Sequence, residues 1–524
     1  MQKNIIFVIV DALRADRLES GGYYHNLALN INKIAESGLN FTDCHSTGCP
    51  TSVAFPSIWT STMPLDYGGY ANGVYGRPNM LSEELQSHGY QTFGITTGHP
   101  SSSQNGYDRG FDTFVDLIDM YQWFRSKYIT NFKDDIDSWT SNSISDDDIC
   151  KKISTSYGSM LVDTIKIISN INKYNVCNKR NNINKLHKAL INEQNTLEIN
   201  TMQIVCKLKQ LKSNFSVAIG NPTVTKWIKV KIAYKKVLRF YLNRKIAFIS
   251  NRKLNSGKVV NNVAKNILRG VNKERPFFMY IHYFDLHEYK FLIPQMSFKR
   301  LAHLPGDIFK AYKARGLKGG GFLYDLALIN VDRHILELRN NINKNVDISN
   351  TLIVLTSDHG TYAGPPFRPK ASSFEHLFFD NFTHVPLMIN GIGIAAKTSH
   401  KLISHLDLAP SILDVSDIPI SDNMQGTPVF DCEKGERDYV ISESGGSGQC
   451  NISKKPFYIS IRSKKIRCTY IINNFIPIER EVYDLYSDPD ESINLIDTNY
   501  FMEWRNRFKS ITKRRVKRLH KTSL

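Results

Sequence analysis

Long apolar runs are missing from this 524-residue chain. No stretch reaches the roughly 18 apolar residues that a membrane-spanning helix needs, so no transmembrane segment is expected. The run Ile5-Ile6-Phe7-Val8-Ile9-Val10 is short and ends at Asp11 without a small-residue cleavage site, which sets it apart from a secretory signal. Cysteine is sparse. The eight present (Cys44, Cys49, Cys150, Cys177, Cys206, Cys432, Cys450, Cys468) are scattered, and no pair has C-x-x-C spacing. This excludes a zinc knuckle or thioredoxin-like site and argues against a disulfide framework, so a reducing, cytoplasmic setting is expected. Internal repeats and low-complexity linkers are also lacking. Negative charge is in short supply: 67 Lys and Arg face 49 Asp and Glu, a net charge of +18. Such an excess favours polyanionic partners: nucleic acid, an anionic membrane surface, or acidic glycans and phosphate or sulfate esters. No recognised nucleic-acid motif accompanies it, so no specific nucleic-acid partner is expected. The cationic run from Arg505 to Lys521, holding Lys513, Arg514, Arg515, Lys517 and Arg518, is expected to rest on an anionic surface or to be solvated.

What is present is an α/β texture on a chain too long for one growing core. Ile5 to Val10 is a continuous β-branched and aromatic run, the pattern of a strand buried on both faces of a parallel sheet. In open α/β sheets the ligand site lies outside the carboxyl ends of such strands. Two further runs behave alike. Phe277 to His282 ends near Asp285 and His287, and Thr351 to Thr356 ends in Ser357-Asp358-His359-Gly360. Three buried strands finishing in Asp or His imply one shared polar site at one sheet edge. Residues 1–115 and 276–415 are therefore read as two parts of a catalytic domain. Between them, 116–275 is rich in Lys, Asn and Ile, with Leu186, Leu190 and Leu197, then Trp227, Val230, Tyr234 and Leu238, at helical spacing. It reads as a basic helical insertion, either a cap over the core or a docking surface. Residues 416–524 read as a small carboxy-terminal α+β region, with strands at Phe457–Ile461 and Thr469–Ile472 and the basic tail.

The motifs resemble those of the sulfatase and alkaline-phosphatase superfamily. Val10-Asp11-Ala12-Leu13-Arg14-Ala15-Asp16 resembles its opening motif, and Thr356-Ser357-Asp358-His359-Gly360 its second metal motif. Gly89-Tyr90-Gln91-Thr92 and Gly106-Tyr107-Asp108-Arg109-Gly110-Phe111-Asp112 are similar to its connecting segments. Asp285-Leu286-His287 is similar to its Asp-Pro-His segment, and Val482-Tyr483-Asp484-Leu485 with Asp488-Pro489 and Asn494-Leu495 to its carboxy-terminal signature. The resemblance implies an alkaline-phosphatase-like, mostly parallel sheet flanked by helices. It also implies a metal-dependent hydrolase of a sulfate or phosphate ester, with Asp11, Asp358 and His359 as metal ligands and His287 on the ester oxygens. His99 falls where the family has the His of its "GKWH" segment, although Thr97 replaces the lysine. Lys370 and His376 compete for the late basic position on the ester. Arg14 is expected to form a structural ion pair with a neighbouring carboxylate.

The nucleophile segment departs from sulfatases proper. Those carry C-x-P-x-R, whose cysteine becomes formylglycine; here Cys49 is followed by Pro50, Thr51, Ser52 and Val53. No formylglycine is expected. Counting back from Thr60, which stands like the Thr of the family's "LLTG", places Thr51 at the nucleophile position, with Ser52 as a rival. Thr is also the nucleophile of the superfamily's phosphoethanolamine transferases. The set Asp11, Thr51, Asp358 and His359 thus implies one divalent ion, with zinc or manganese favoured and calcium the alternative, because calcium prefers an all-oxygen shell. A transferase acting on a glycan or other polymer, and a binding protein that kept the fold without turnover, remain the alternatives.

Overall fold

The computed structural model describes residues 2–22, 25–117, 132–173, 180–216, 256–289, 303–315, 321–363, 377–431, 437–446, 452 and 455–523. It forms two compact units. One comprises Met1–Thr96, Pro100–Phe114 and Ala264–Leu524; the other comprises Thr97–His99 and Val115–Val263.

The larger unit is built on an eight-stranded sheet whose strands are β1 (Asn4–Val10), β2 (Leu39–His45), β3 (Gln91–Thr96), β4 (Thr113–Asp116), β5 (Phe277–Tyr283), β6 (Thr351–Thr356), β7 (His384–Gly391) and β8 (Lys397–Ser404). They lie in the order β4-β3-β5-β1-β6-β7-β2-β8. The three apolar runs singled out above, β1, β5 and β6, are adjacent. β1 pairs in parallel with both β5 and β6, and their side chains are buried almost without exception. β3 continues the parallel set, whereas β7 runs antiparallel to β6 and β2. One core cluster packs Phe7, Phe55, Trp59, Tyr107, Phe278 and Tyr280 against this sheet, with Trp59 edge-on to Tyr280 at 4.8 Å between ring centroids. The register sets Ile9 opposite both His282 and Thr356, so β1, β5 and β6 reach the same edge together.

In the same unit, β9 (Val440–Ser444), β10 (Phe457–Arg462), β11 (Ile466–Asn473) and β12 (Ile476–Asp484) form an antiparallel sheet in the order β12-β11-β10-β9. Its core joins Ile459, Ile461, Cys468 and Tyr470 to Phe508, Ile511, Val516 and Leu519 of the closing helix, Met502–Ser523, and to Val53. With the buried Thr512 and Arg515 between them, those helix positions fall in pairs three or four apart, which lays one face on the sheet. Arg515, read above with a solvated or surface-bound run, is instead buried. Its guanidinium donates to Glu443 (2.5 and 2.9 Å) and Asp66 (2.6 Å). The helix periodicity turns it inward, where only a carboxylate pair makes burying the charge tolerable.

The second unit includes the helices Lys133–Thr140, Asp146–Lys173, Arg180–Ile199 and Thr201–Ser216. Ile149, Ile153, Tyr157, Leu161 and Ile168 bury one stripe of the longest helix, and Leu190 and Leu197 are buried on the next. The stretch holding Trp227, Val230, Tyr234 and Leu238 lies outside the described residues, as does Leu186's side chain.

Candidate active site

β1 delivers Asp11 past its last strand residue, and the Asp11 amide still donates to the Tyr283 carbonyl of β5 (2.9 Å). The chain then turns sharply through Ala12, whose φ of 62° is left-handed. Tyr324 holds that turn: its hydroxyl donates to the Ala12 carbonyl (2.8 Å) and accepts from the Arg14 amide (3.1 Å). Arg14 is wholly buried, forks onto Asp16 (2.6 and 2.8 Å) and donates to the Ala363 carbonyl (2.7 Å). It therefore ties the first motif to the chain just beyond the second. Ser357 adds another tie, accepting from the Leu13 amide and donating to the His359 carbonyl. Gly360 is required where it stands, because a Cβ there would lie 2.1 Å from the Asn381 carbonyl oxygen.

Thr51 opens the helix Thr51–Thr60, whose side chains are buried except that of Ser52, which is half-buried. Its hydroxyl donates to Asp11 Oδ2 (3.2 Å) and lies 3.2 Å from His359 Nε2. Ser52 makes no comparable contact among the described residues. The His359 ring is oriented from behind: Nδ1 donates to the Gly360 carbonyl (2.6 Å), which turns Nε2 toward Asp11 Oδ1 (3.8 Å) and Asp358 Oδ2 (3.5 Å). The loop before Thr51 is pressed onto β9, since a Cβ at Gly48 would meet the Glu443 carbonyl oxygen at 2.6 Å.

His282 completes the group. It is the sixth residue of β5, fully buried, with Nδ1 near the Ser101 hydroxyl (3.3 Å) and Nε2 3.5 Å from Asp11 Oδ2. One ligand atom each from Asp11, His282 and Asp358 falls within 4.8 Å of the others. Asp11 Oδ1 and Asp358 Oδ2 are buried without a hydrogen-bond partner among the described residues. Two such carboxylate oxygens, facing one another with two imidazoles, fit a divalent cation of the zinc type.

The charges respond to this crowding. Burial alone would raise Asp11, but the imidazoles of His287, His282 and His359 outweigh it and hold the carboxyl at about 2. Asp358 moves the other way, pushed up by burial and by the charge on Asp11. Burial works against a cation at His359, yet Asp358, Cys49 and Asp11 together keep it well above the ordinary imidazole value. His287 is likewise raised against burial, by Asp11 and Glu288.

Asp11, Thr51, Asp358 and His359 thus converge. His287 stands beside them rather than among them, half exposed, stacked on Phe284 at 4.3 Å and 3.8 Å from Glu288. Lys370 and His376 lie outside the described residues. His99 begins a short turn, His99–Ser101, and its side chain is likewise outside them. Sequence reasoning passed over His282 because it sits inside an apolar run. The available signal was a lone imidazole at the carboxyl end of a strand otherwise filled with Phe, Met, Tyr and Ile.

Comparison with known proteins bears on the fold and the family. Arylsulfatase K of Gallus gallus is 27% identical over 160 residues, which make up 28% of this chain and 28% of that protein, so the match spans little more than a quarter of the relative's length. A solved 2-O GAG sulfatase superposes with a TM-score of 0.59 at 14% identity, over 99% of this chain and 93% of its own. The phosphonate monoester hydrolase of Agrobacterium radiobacter superposes with a TM-score of 0.55 at 15% identity, over 100% of this chain and 96% of that one. Identities this low establish the shared fold. The Sulfatase family model matches residues 3–158 and 179–418, and the chain belongs to that family.

Proposed function

We propose that this protein hydrolyses a sulfate or phosphate ester with Thr51 as nucleophile and a divalent cation held by Asp11, His282, Asp358 and His359. The observation that carries the proposal is the Thr51 hydroxyl, buried and placed 3.2 Å from both Asp11 Oδ2 and His359 Nε2 beside two carboxylate oxygens that lack hydrogen bonds among the described residues. Two imidazoles in the donor set favour zinc or manganese over calcium. Bound there, such an ion would ease ionisation of the Thr51 hydroxyl and draw charge from the ester oxygens.

The remaining work falls to the chain. Thr51 gives its proton to a neighbouring acceptor, Asp11 Oδ2 and His359 Nε2 lying equally near at 3.2 Å. Its Oγ1 bonds to the sulfur or phosphorus atom while the bond to the alcohol oxygen breaks, and the alcohol departs with a proton. Water then attacks the Thr51 ester, releasing the inorganic anion and restoring the hydroxyl. His287, cationic over a wider pH range than a free imidazole, faces the open side, where the ester oxygens need positive charge. Lys370 or His376 is expected to share that task. The 2-O GAG sulfatase among the structural relatives favours an ester carried on a sulfated glycan.

Purified protein supplied with zinc, manganese or calcium should turn over one member of a set of aryl sulfate, phosphate monoester and phosphodiester. Thr51→Ala should lower kcat by about a thousandfold or more, as removal of a covalent nucleophile does. Full activity in Thr51→Ala would refute the mechanism. A metal-loaded protein inert toward every ester, but able to move the group to an acceptor hydroxyl, would instead establish a transferase.

A further inference from the structure

The closing helix has two faces of opposite character. Trp504, Phe508, Ile511, Val516 and Leu519 pack on the carboxy-terminal sheet, and Arg515 is held by Glu443 and Asp66. On the other face Lys509, Lys513, Arg514, Lys517 and Lys521 are all exposed. After Glu503 the helix contains no carboxylate, and none of these five cations makes an ion pair among the described residues. Lys509, Lys513, Lys517 and Lys521 are spaced four apart, so they form a line of charges about 6 Å apart along the helix.

We propose that this ridge binds a linear polyanionic glycan, acting as an outlying grip on a sulfated polymer whose ester is cleaved at Thr51; the identity of the polymer rests on the function proposed above. Three features point to a linear glycan. The apolar face that a bilayer-adsorbing helix would bury is already consumed by the sheet. Apart from His520, which is stacked on Phe475, the exposed face between Asn506 and Lys521 carries no ring on which a nucleobase could stack. A single row of lysines also presents a line of charge, which suits a chain better than a plane. The ridge points away from Glu443, and Glu443 touches the loop before Thr51, so at least a helix diameter, about 10–12 Å, separates grip and nucleophile. A small ester cannot span that distance, but an extended oligosaccharide can.

The test uses the full chain and heparin as the probe, with fluorescence anisotropy at several salt concentrations. Replacing the five cations by Gln should raise the Kd for heparin by about tenfold or more and flatten its salt dependence. It should leave kcat/KM on a small aryl ester unchanged. As a control, Lys310→Gln with Lys313→Gln, on the helix Leu304–Arg315, should leave heparin binding intact. Single replacements at Lys513 and Lys517 guard against misfolding of the fivefold variant and should each weaken binding. Unchanged heparin affinity in a folded fivefold variant would overturn the proposal. So would stronger capture by phosphatidylserine vesicles or duplex DNA than by heparin at equal charge. Binding is read without turnover, so failure of the hydrolase reading would show separately, as an inert protein that still grips heparin.

Discussion

His45 illustrates how a single side chain can set the acid limit of this protein. It is buried, and burial together with Arg462 lowers it to about 4, even though Asp43 sits 2.8 Å away and would raise it. His384 stacks on its ring at 5.1 Å, and Asp380, bound to Arg462, completes the charges around it. The imidazole is therefore neutral in the fold at pH values where the unfolded chain would protonate it. The stability this confers is present in full above about 6.5 and is lost as pH falls through about 4, by up to about 1.4 kcal/mol per pH unit. Thermal midpoints measured from pH 7 to pH 4 should fall, and His45→Gln should make the fall shallower; parallel curves would disprove the assignment. Legibility at this scale was uneven. Asp11, Asp358 and His359 stood out because each follows a run of buried strand residues, and Thr51 because of its spacing from Thr60. His282 did not, since a polar residue within an apolar strand carries no local mark of the partner that justifies its burial.

Elements that are buried on both faces declare themselves, and β1, β5 and β6 were readable end to end for that reason. β2 and β8 were not: Asn40, Thr42 and Asp43 in one, and Lys397, His400 and Lys401 in the other, break the apolar run, and only pairing with neighbours makes them strands. The closing helix was obscured in a different way. Its charge density masks the apolar positions Phe508, Ile511, Val516 and Leu519, so a run of cations reads as solvated tail. Its one inward cation provides the sharpest test. Arg515→Met should remove a buried charge, leave Glu443 without its cation and leave Asp66 with only Arg518, costing about 3–5 kcal/mol in urea unfolding. Because Glu443 also abuts Gly48, the same variant should lose activity on small esters at temperatures where it remains folded. Wild-type stability in Arg515→Met would show that the pair does not brace the sheet.

For the molecule as a whole, the proposed cation site would tie metal binding to folding. The folded chain gathers Asp11, His282, Asp358 and His359 from segments far apart in sequence, so an unfolded chain offers the ion no comparable site. Free metal at a hundred times its Kd should stabilise the fold by about 2.7 kcal/mol. Dialysis against a chelator should lower the melting midpoint, and added zinc should restore it; His282→Ala should need a higher zinc concentration for the same recovery. A midpoint indifferent to chelator and metal would contradict the ligand assignment. The bracing of the nucleophile loop also has a consequence in time. Thr51 is added to the chain several hundred residues before Arg515, which holds Glu443 against that loop. A growing chain therefore holds Thr51 through the addition of several hundred residues before its brace exists, and the loop should settle into its final shape only once Arg515 has been added.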